Sequence, residues 1–148
     1  MSIITVECGF VPDVEVVGCY IEHDRHFLML QKNMHKYYEC SWGVPAGKLI
    51  VNESLDDGLR REVYEETSIE LTGPIWFIDR FLVDHGHIKF AYSAFYCQIN
   101  GERPNVVISE EHLAFQWVKS SRFLAKNLIP DEEKVFMRLM KFRLNGNH

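Results

Sequence analysis

The chain has 148 residues, 47% of them hydrophobic and 25% charged, a size and balance that fit one ordinary globular domain and exclude whole-chain disorder. Its formal net charge of -5 argues against a large electrostatic footprint on DNA or RNA, while a divalent cation can still bridge acidic side chains to a small phosphorylated ligand. No apolar run is long enough to span a membrane, and residues 1–8 lack the basic start and apolar stretch of a secretory signal, so a cytoplasmic location is expected.

No repeat, low-complexity tract or linker-like run divides the sequence, and residues 1–148 are read as a single domain. Residues 14–21 read as a strand, 22–25 as a turn and 26–32 as a second strand, together a hairpin. Residues 33–40 form a polar, aromatic loop, and 42–47 a short extended piece broken by Gly and Pro. Residues 54–67 are the clearest helix, with Ser54 as N-cap and Asp57 at the capping-box position. Residues 75–83 and 88–99 are rich in Ile, Phe, Tyr and Val and read as strands around a turn at 84–87. A short strand at 115–118 and a helix at 131–144 complete the chain, the helix offering Val135, Phe136, Leu139, Met140 and Phe142 for packing. Strands and helices mix without strict alternation, which predicts an α/β fold of the α+β type, a mixed sheet covered by helices, instead of a Rossmann-type arrangement. Cys8, Cys19, Cys40 and Cys97 show neither Cys-x-x-Cys nor zinc spacing, so reduced, mostly buried thiols are expected, Cys97 serving as inert packing in its strand.

The helix at 54–67 carries the chemistry. Successive residues advance by about 100°, so with Leu55 at zero, Leu59 falls at about 40° and Val63 at about 80°. Glu62 falls at about -20° and Glu66 at about 20°, within the apolar stripe, with Glu65 on its flank about 60° from Glu62. A charge run is ordinarily a solvated face, but these carboxylates continue the inward stripe. Crowded carboxylates repel each other and resist desolvation unless a hard cation binds them, and Mg²⁺ and Mn²⁺ prefer oxygen ligands. Arg60 points away from the stripe and is expected at the solvent surface. Arg61 stands four residues after Asp57 and four before Glu65 and can pair with both, orienting carboxylates around a cation; the bland alternative is a surface pair worth a few tenths of a kcal/mol.

The segment Gly47-Lys-Leu-Ile-Val-Asn-Glu53-Ser-Leu-Asp-Asp-Gly-Leu-Arg-Arg61-Glu62-Val63-Tyr-Glu65-Glu66-Thr-Ser68-Ile69 resembles the Nudix box, matching eight of its nine fixed places. The resemblance implies a Nudix-like α/β/α sandwich with a catalytic loop-helix-loop, and hydrolysis of a nucleoside diphosphate linked to another group with Mg²⁺ or Mn²⁺. It places Glu62, Glu65 and Glu66 as metal-binding carboxylates, Arg61 and Glu53 as an orienting pair, the Ala46 carbonyl on the metal and Gly47 beside the substrate. Departures are Ser68 for the last glycine, where a left-handed residue commonly ends a helix, and Asn52, a mild change at another left-handed position. Gly58 in mid-helix, where relatives favour Ala, is expected to weaken the helix by roughly 0.5–1 kcal/mol.

Outside the box, Glu111 resembles a downstream glutamate that serves some relatives as an added ligand or base, with an exposed loop acid as the alternative. Lys32 stands where some relatives contact phosphate, against the alternative of a surface lysine. His85 and His87 flank a turn and read as exposed, not as a metal site. Trp42, Phe77, Tyr92 and Trp117 are the aromatics able to stack on a base, or are core. The expected partner is a small nucleotide, with no large nucleic acid and no membrane, and homodimerisation is left open. A nucleoside or deoxynucleoside triphosphate is favoured. ADP-ribose or another nucleotide sugar is the alternative, although the proline that many ADP-ribose hydrolases carry beyond the box is missing where this chain reads Asp84-His85-Gly86. A non-catalytic nucleotide sensor would lack box carboxylates, and an RNA-end hydrolase would show a basic patch or an added domain.

Overall fold

A computed structural model describes residues 2–4, 9–33 and 38–146. The strands are β1 (Ser2–Ile4), β2 (Val14–His23), β3 (His26–Lys32), β4 (Trp42–Gly43), β5 (Ala46–Lys48), β6 (Trp76–Asp84), β7 (Lys89–Gln98) and β8 (His112–Lys119). The helices are α1 (Leu55–Thr67) and α2 (Glu132–Asn145), with a 3₁₀ helix at Ser120–Ala125 between β8 and α2. The mixed sheet runs β1-β6-β7-β2-β3-β4, with β5 added to β2 and β8 to β3. Among the described strands, β2 and β7 are the parallel pair, from Val14↔Phe90 to Glu22↔Gln98.

The expected hairpin forms on a two-residue turn, Asp24-Arg25, both left-handed at φ 48 and 63, the geometry whose twist suits paired strands. Its strands pair only at the mouth, Glu22↔Phe27 and His23↔His26. They then part, β2 toward β5 and β7, β3 toward β4 and β8. This divergence opens the sheet where a cavity of about 300 Å³ lies.

Alternation along β2 and β3 sends side chains to two cores. Tyr20, Phe27 and Met29 pack with Phe123, Val135, Phe136 and Leu139 on the α2 side. Val17, Cys19, Ile21, Leu28 and Leu30 pack with Leu59 and Val63 on the α1 side. Helices thus cover both faces, as expected of the α/β/α sandwich. Cys19 and Cys97 are buried with their sulfurs 3.7 Å apart, whereas Cys40 is exposed. Among the described residues no helix is long and apolar enough to cross a membrane.

Several details differ from expectation. β8 begins at His112, three residues before the expected 115, because β3 pairs with it along its whole length. β1 and the 3₁₀ helix were not anticipated. Leu55 is 39% exposed, so the buried stripe of α1 enters only with Gly58 and Leu59. Arg60 is not plain solvent surface: it pairs with Asp56 at 2.7 Å and donates to the carbonyls of Leu71 and Gly73, tying α1 to the loop that follows it. The readings made for residues 1–8 and for the loop at 33–40 fall partly outside the described residues, Cys8 included.

Candidate active site

Ser54 caps α1 by accepting the Asp57 N–H at 3.1 Å, and Ser68 ends it in the left-handed region at φ 63, its N–H bonded to the Tyr64 carbonyl. Serine therefore occupies the conformation that glycine serves in the resemblance, at a modest steric cost. Asn52 is also left-handed, φ 69. Its bend turns the chain back so that Glu53 reaches the helix and accepts the Ile50 N–H at 3.0 Å.

Arg61 is the hub of this loop. It grips Glu53 with two nearly parallel bonds of 2.7 and 2.8 Å. It reaches Glu62 at 2.9 Å, Glu65 at 3.1 Å and the Lys48 carbonyl at 3.1 Å. The expected pairing with Glu65 is present; that with Asp57 is replaced by Glu53, because a folded-back loop offers bidentate geometry that a helical neighbour cannot. The guanidinium, with the Ile50 amide, holds the Glu53 carboxyl down to about 2, so Glu53 is a fixed anion.

Glu62 and Glu66 face β5. The carboxylate of Glu62 lies over Gly47, where any side chain would overlap it; this is the physical reason for glycine at that place. Glu66 is 4% exposed and accepts the Ala46 N–H at 2.9 Å. Burial pushes its carboxyl up to about 8 despite that bond and the nearby Lys32 charge, and Glu62 and Glu111 add to the rise. Burial also raises Glu62, against the pull of Arg61. Glu65 is different, with 56% of its side chain exposed. Gly58 is no mere weak point: a methyl there would overlap Leu49, whose side chain, with Glu53, covers the helix at that turn.

The chain then brings a second acidic segment to the same place. Val107 N–H binds the Thr67 carbonyl at 2.9 Å, Ser109 N–H binds the Glu66 carbonyl at 3.3 Å, and Ser68 Oγ donates to the Val107 carbonyl at 3.3 Å. This docking sets Glu111 and His112 beside Glu66, with one donor atom of each within 4.8 Å of the others. Glu111 thus joins the box acids. His112 was missed, because nothing but its place after Glu111 marks it in the sequence. Carboxylates with an imidazole, too crowded to be comfortable as bare anions, are a donor set that fits a divalent cation.

A cavity of about 300 Å³ adjoins this cluster where β2 and β3 part. Ala46, Lys48, Lys32 and His112 line its acidic end, while Phe90 and Tyr92 line its apolar wall. Lys32 lies close enough to temper both Glu66 and Glu132. Of the aromatics considered for stacking, Tyr92 lines the cavity; Phe77 packs on Phe95, Trp42 lies under Lys126 and Trp117 under Arg103. At the far end Glu132 is buried, takes a hydrogen bond from Tyr20 and is pushed up to about 7 by burial. His85 is not an exposed turn residue: it is buried, 3.3 Å from Asp131, because the β6–β7 turn folds against the start of α2. His87 lines the same cavity.

A family model described as the NUDIX domain matches residues 12–139. No curated protein matches the sequence. Among solved structures, the chain is similar to a MutT protein from Methanosarcina mazei Go1, 23% identical, covering 90% of this chain and 96% of that one, TM-score 0.75. It is similar to the NUDIX domain of Shewanella oneidensis NrtR complexed with ADP ribose, 16% identical, covering 92% and 91%, TM-score 0.76. It is also similar to a C. elegans Ap4A hydrolase, 17% identical, covering 90% and 99%, TM-score 0.73. With the box residues gathered around one helix and the family match spanning most of its length, the chain belongs to the NUDIX family, hydrolases that act on phosphorus-containing anhydrides.

Proposed function

We propose that this chain, acting as a single domain, hydrolyses the pyrophosphate linkage of a nucleoside or deoxynucleoside triphosphate, giving a nucleoside monophosphate and pyrophosphate. The observation that carries the reading is the meeting of acid cluster and cavity: β5 bonds Glu66 through Ala46 and also lines the pocket with Ala46 and Lys48. A phosphate chain leaving the pocket would cross the carboxylates directly. Glu62, Glu65 and Glu66, with Glu111 and the Ala46 carbonyl, would hold Mg²⁺ or Mn²⁺. Such a cation neutralises phosphate oxygens and acidifies a bound water. Arg61 and Glu53 keep Glu62 and Glu65 aimed, and Gly47 leaves room for the Glu62 carboxylate. Lys32 and Lys48 offer positive charge to the phosphates at the pocket's acidic end.

Size favours one nucleoside. A cavity of about 300 Å³ is at the low end for ligand pockets, which run from roughly 300 to 1,000 Å³. The second half of an ADP-ribose or a dinucleoside polyphosphate would lie outside it. The likeness to a domain complexed with ADP ribose keeps a nucleotide sugar as the second reading. Purified protein incubated with Mg²⁺ or Mn²⁺ and a panel of nucleoside triphosphates, ADP-ribose and Ap4A decides the matter. The triphosphates should turn over fastest, releasing pyrophosphate. Faster turnover of ADP-ribose, giving AMP, would transfer the assignment to nucleotide sugars. Binding without cleavage of any of them would make the protein a sensor.

A further inference from the structure

The box carboxylates do not explain why an imidazole stands among them. β8 pairs with β3 at Gln31↔Ala114 and then at Lys32↔His112, so Leu113 is an extra residue in the ladder. Such a bulge re-aims the side chains beside it. Here it inverts the usual burial: His112 is 8% exposed and its neighbour Leu113 is 44% exposed. Showing a leucine to water while burying an imidazole forfeits apolar burial and desolvates a polar ring. The re-aimed ring stands within 4.8 Å, donor atom to donor atom, of Glu66 and Glu111.

The three donors sit on supports that fix their spacing. Glu66 is in the last turn of α1, and His112 opens a strand hydrogen-bonded to β3. The link between them is pinned by Ser109 N–H on the Glu66 carbonyl and by Asn33, whose N–H binds the Glu111 carbonyl at 3.1 Å and whose side chain binds the Glu110 carbonyl at 2.8 Å. Rigid elements of this kind hold ligand sets in working geometry.

We propose that His112 gives a ring nitrogen to the cation held by Glu66 and Glu111, and that this mixed oxygen and nitrogen set makes the centre select Mn²⁺ over Mg²⁺. The inference rests on the reading of Glu66 as a metal ligand. Mg²⁺ takes oxygen donors almost exclusively and keeps its waters, whereas imidazole suits the first-row transition ions. A carboxylate-only cluster would discriminate less between the two ions.

Pulsed electron paramagnetic resonance of Mn²⁺ bound to the full chain reads the bond directly. Wild type should show nitrogen coupling of imidazole strength. His85→Gln and His87→Gln, which alter the other cavity imidazoles, should keep it; His112→Gln should lose it. In calorimetric titrations His112→Gln should weaken Mn²⁺ by about tenfold or more and Mg²⁺ by less than about threefold. Mn²⁺ bound without nitrogen coupling, or coupling lost on altering His85 or His87, overturns the assignment of His112 and leaves the metal role of Glu66 standing. Equal weakening of both ions overturns the selectivity. Failure of wild type to bind Mn²⁺ overturns the underlying reading itself. If His112→Gln does not fold, as judged by circular dichroism, the wild-type, His85→Gln and His87→Gln spectra still decide the case.

Discussion

The two faces of the sheet each bury acids, and they keep them in different company. On the α2 face, Glu22 accepts from Tyr96 at 2.5 Å and from Arg143 at 3.2 Å, with the guanidinium 5.7 Å from the centres of the Phe27 and Tyr96 rings. Glu132 likewise takes a bond from Tyr20. These acids are shared out singly among donors. On the α1 face, Glu66 has one backbone donor and three acidic or imidazole neighbours in Glu62, Glu111 and His112. Glu22 has a strong set of donors and is structural, whereas buried Glu66 takes the Ala46 N–H beside partly buried Glu62 and exposed Glu111, an arrangement that a cation would stabilise.

The comparison breaks most sharply at Glu66. Glu66→Gln should lower kcat by at least about 100-fold, the scale for losing a positioned catalytic group, yet leave the fold intact. Its carboxyl titrates at about 8 instead of 4.5, so folding favours the neutral form. The stability that Glu66 contributes to the metal-free protein is therefore full below pH 4.5 and lost as pH rises to about 8, so Glu66→Gln should raise the melting temperature increasingly across that range and leave it little changed below 4.5. Saturating Mn²⁺ should abolish the slope that Glu66 contributes, while the slope from Glu132, which titrates at about 7, persists. A metal-free Glu66→Gln protein that melted well below wild type would make this acid structural after all.

Gly47→Ala is next. The new methyl must displace the Glu62 carboxylate, and kcat should fall by about 10–100-fold with little loss of stability, because the flexible side chain can move where the backbone cannot. Arg61→Lys keeps charge but loses the fork that holds Glu53, and a drop in kcat of about tenfold is expected. On the other face the pattern reverses. Glu22→Ala leaves Arg143 and Tyr96 without their shared acceptor and should cost roughly 3 kcal/mol in chemical denaturation, with kcat per folded molecule unchanged. Gly58→Ala is the smallest and most diagnostic change. Helix propensity alone predicts a gain of about 0.5–1 kcal/mol; the overlap with Leu49 predicts a net loss, read as a lower denaturation midpoint.

Much of the α1 side was legible because local rules and tertiary demands agree there. Ser54, the Leu59 and Val63 stripe, Glu62 and Glu66 all obey helical spacing, and the turn at Asp24-Arg25 fell within the expected hairpin. What was not legible depends on chain segments far apart. The inward turn of His112 comes from a bulge that exists only once β8 meets β3, and the burial of His85 needs α2 beside the β6–β7 turn. Gly58 looked weak on propensity, since the Leu49 side chain that occupies its missing methyl cannot be seen from the helix wheel. Glu111 is an exposed acid whose place beside Glu66 depends on the bonds of Val107 and Ser109 to the end of α1, which no local pattern in the sequence marks.

The parallel ladder between β2 and β7 also sets how the chain must fold. Cys19 and Cys97, in contact across it, are 78 positions apart in the sequence. The β2–β3 turn and α1 can form early, from neighbouring residues, but the centre of the sheet cannot close until β7 has been made. Contacts of such long span slow folding toward the millisecond-to-second range, and meanwhile β2 presents an open apolar edge to other chains. During synthesis α1 emerges after β1–β5 and before β6–β8, so the sheet is completed only after the acid helix has been made. Glu62 and Glu66, four residues apart, become neighbours as soon as α1 forms, whereas the burial of Glu66 depends on the strands and loops that pack over it.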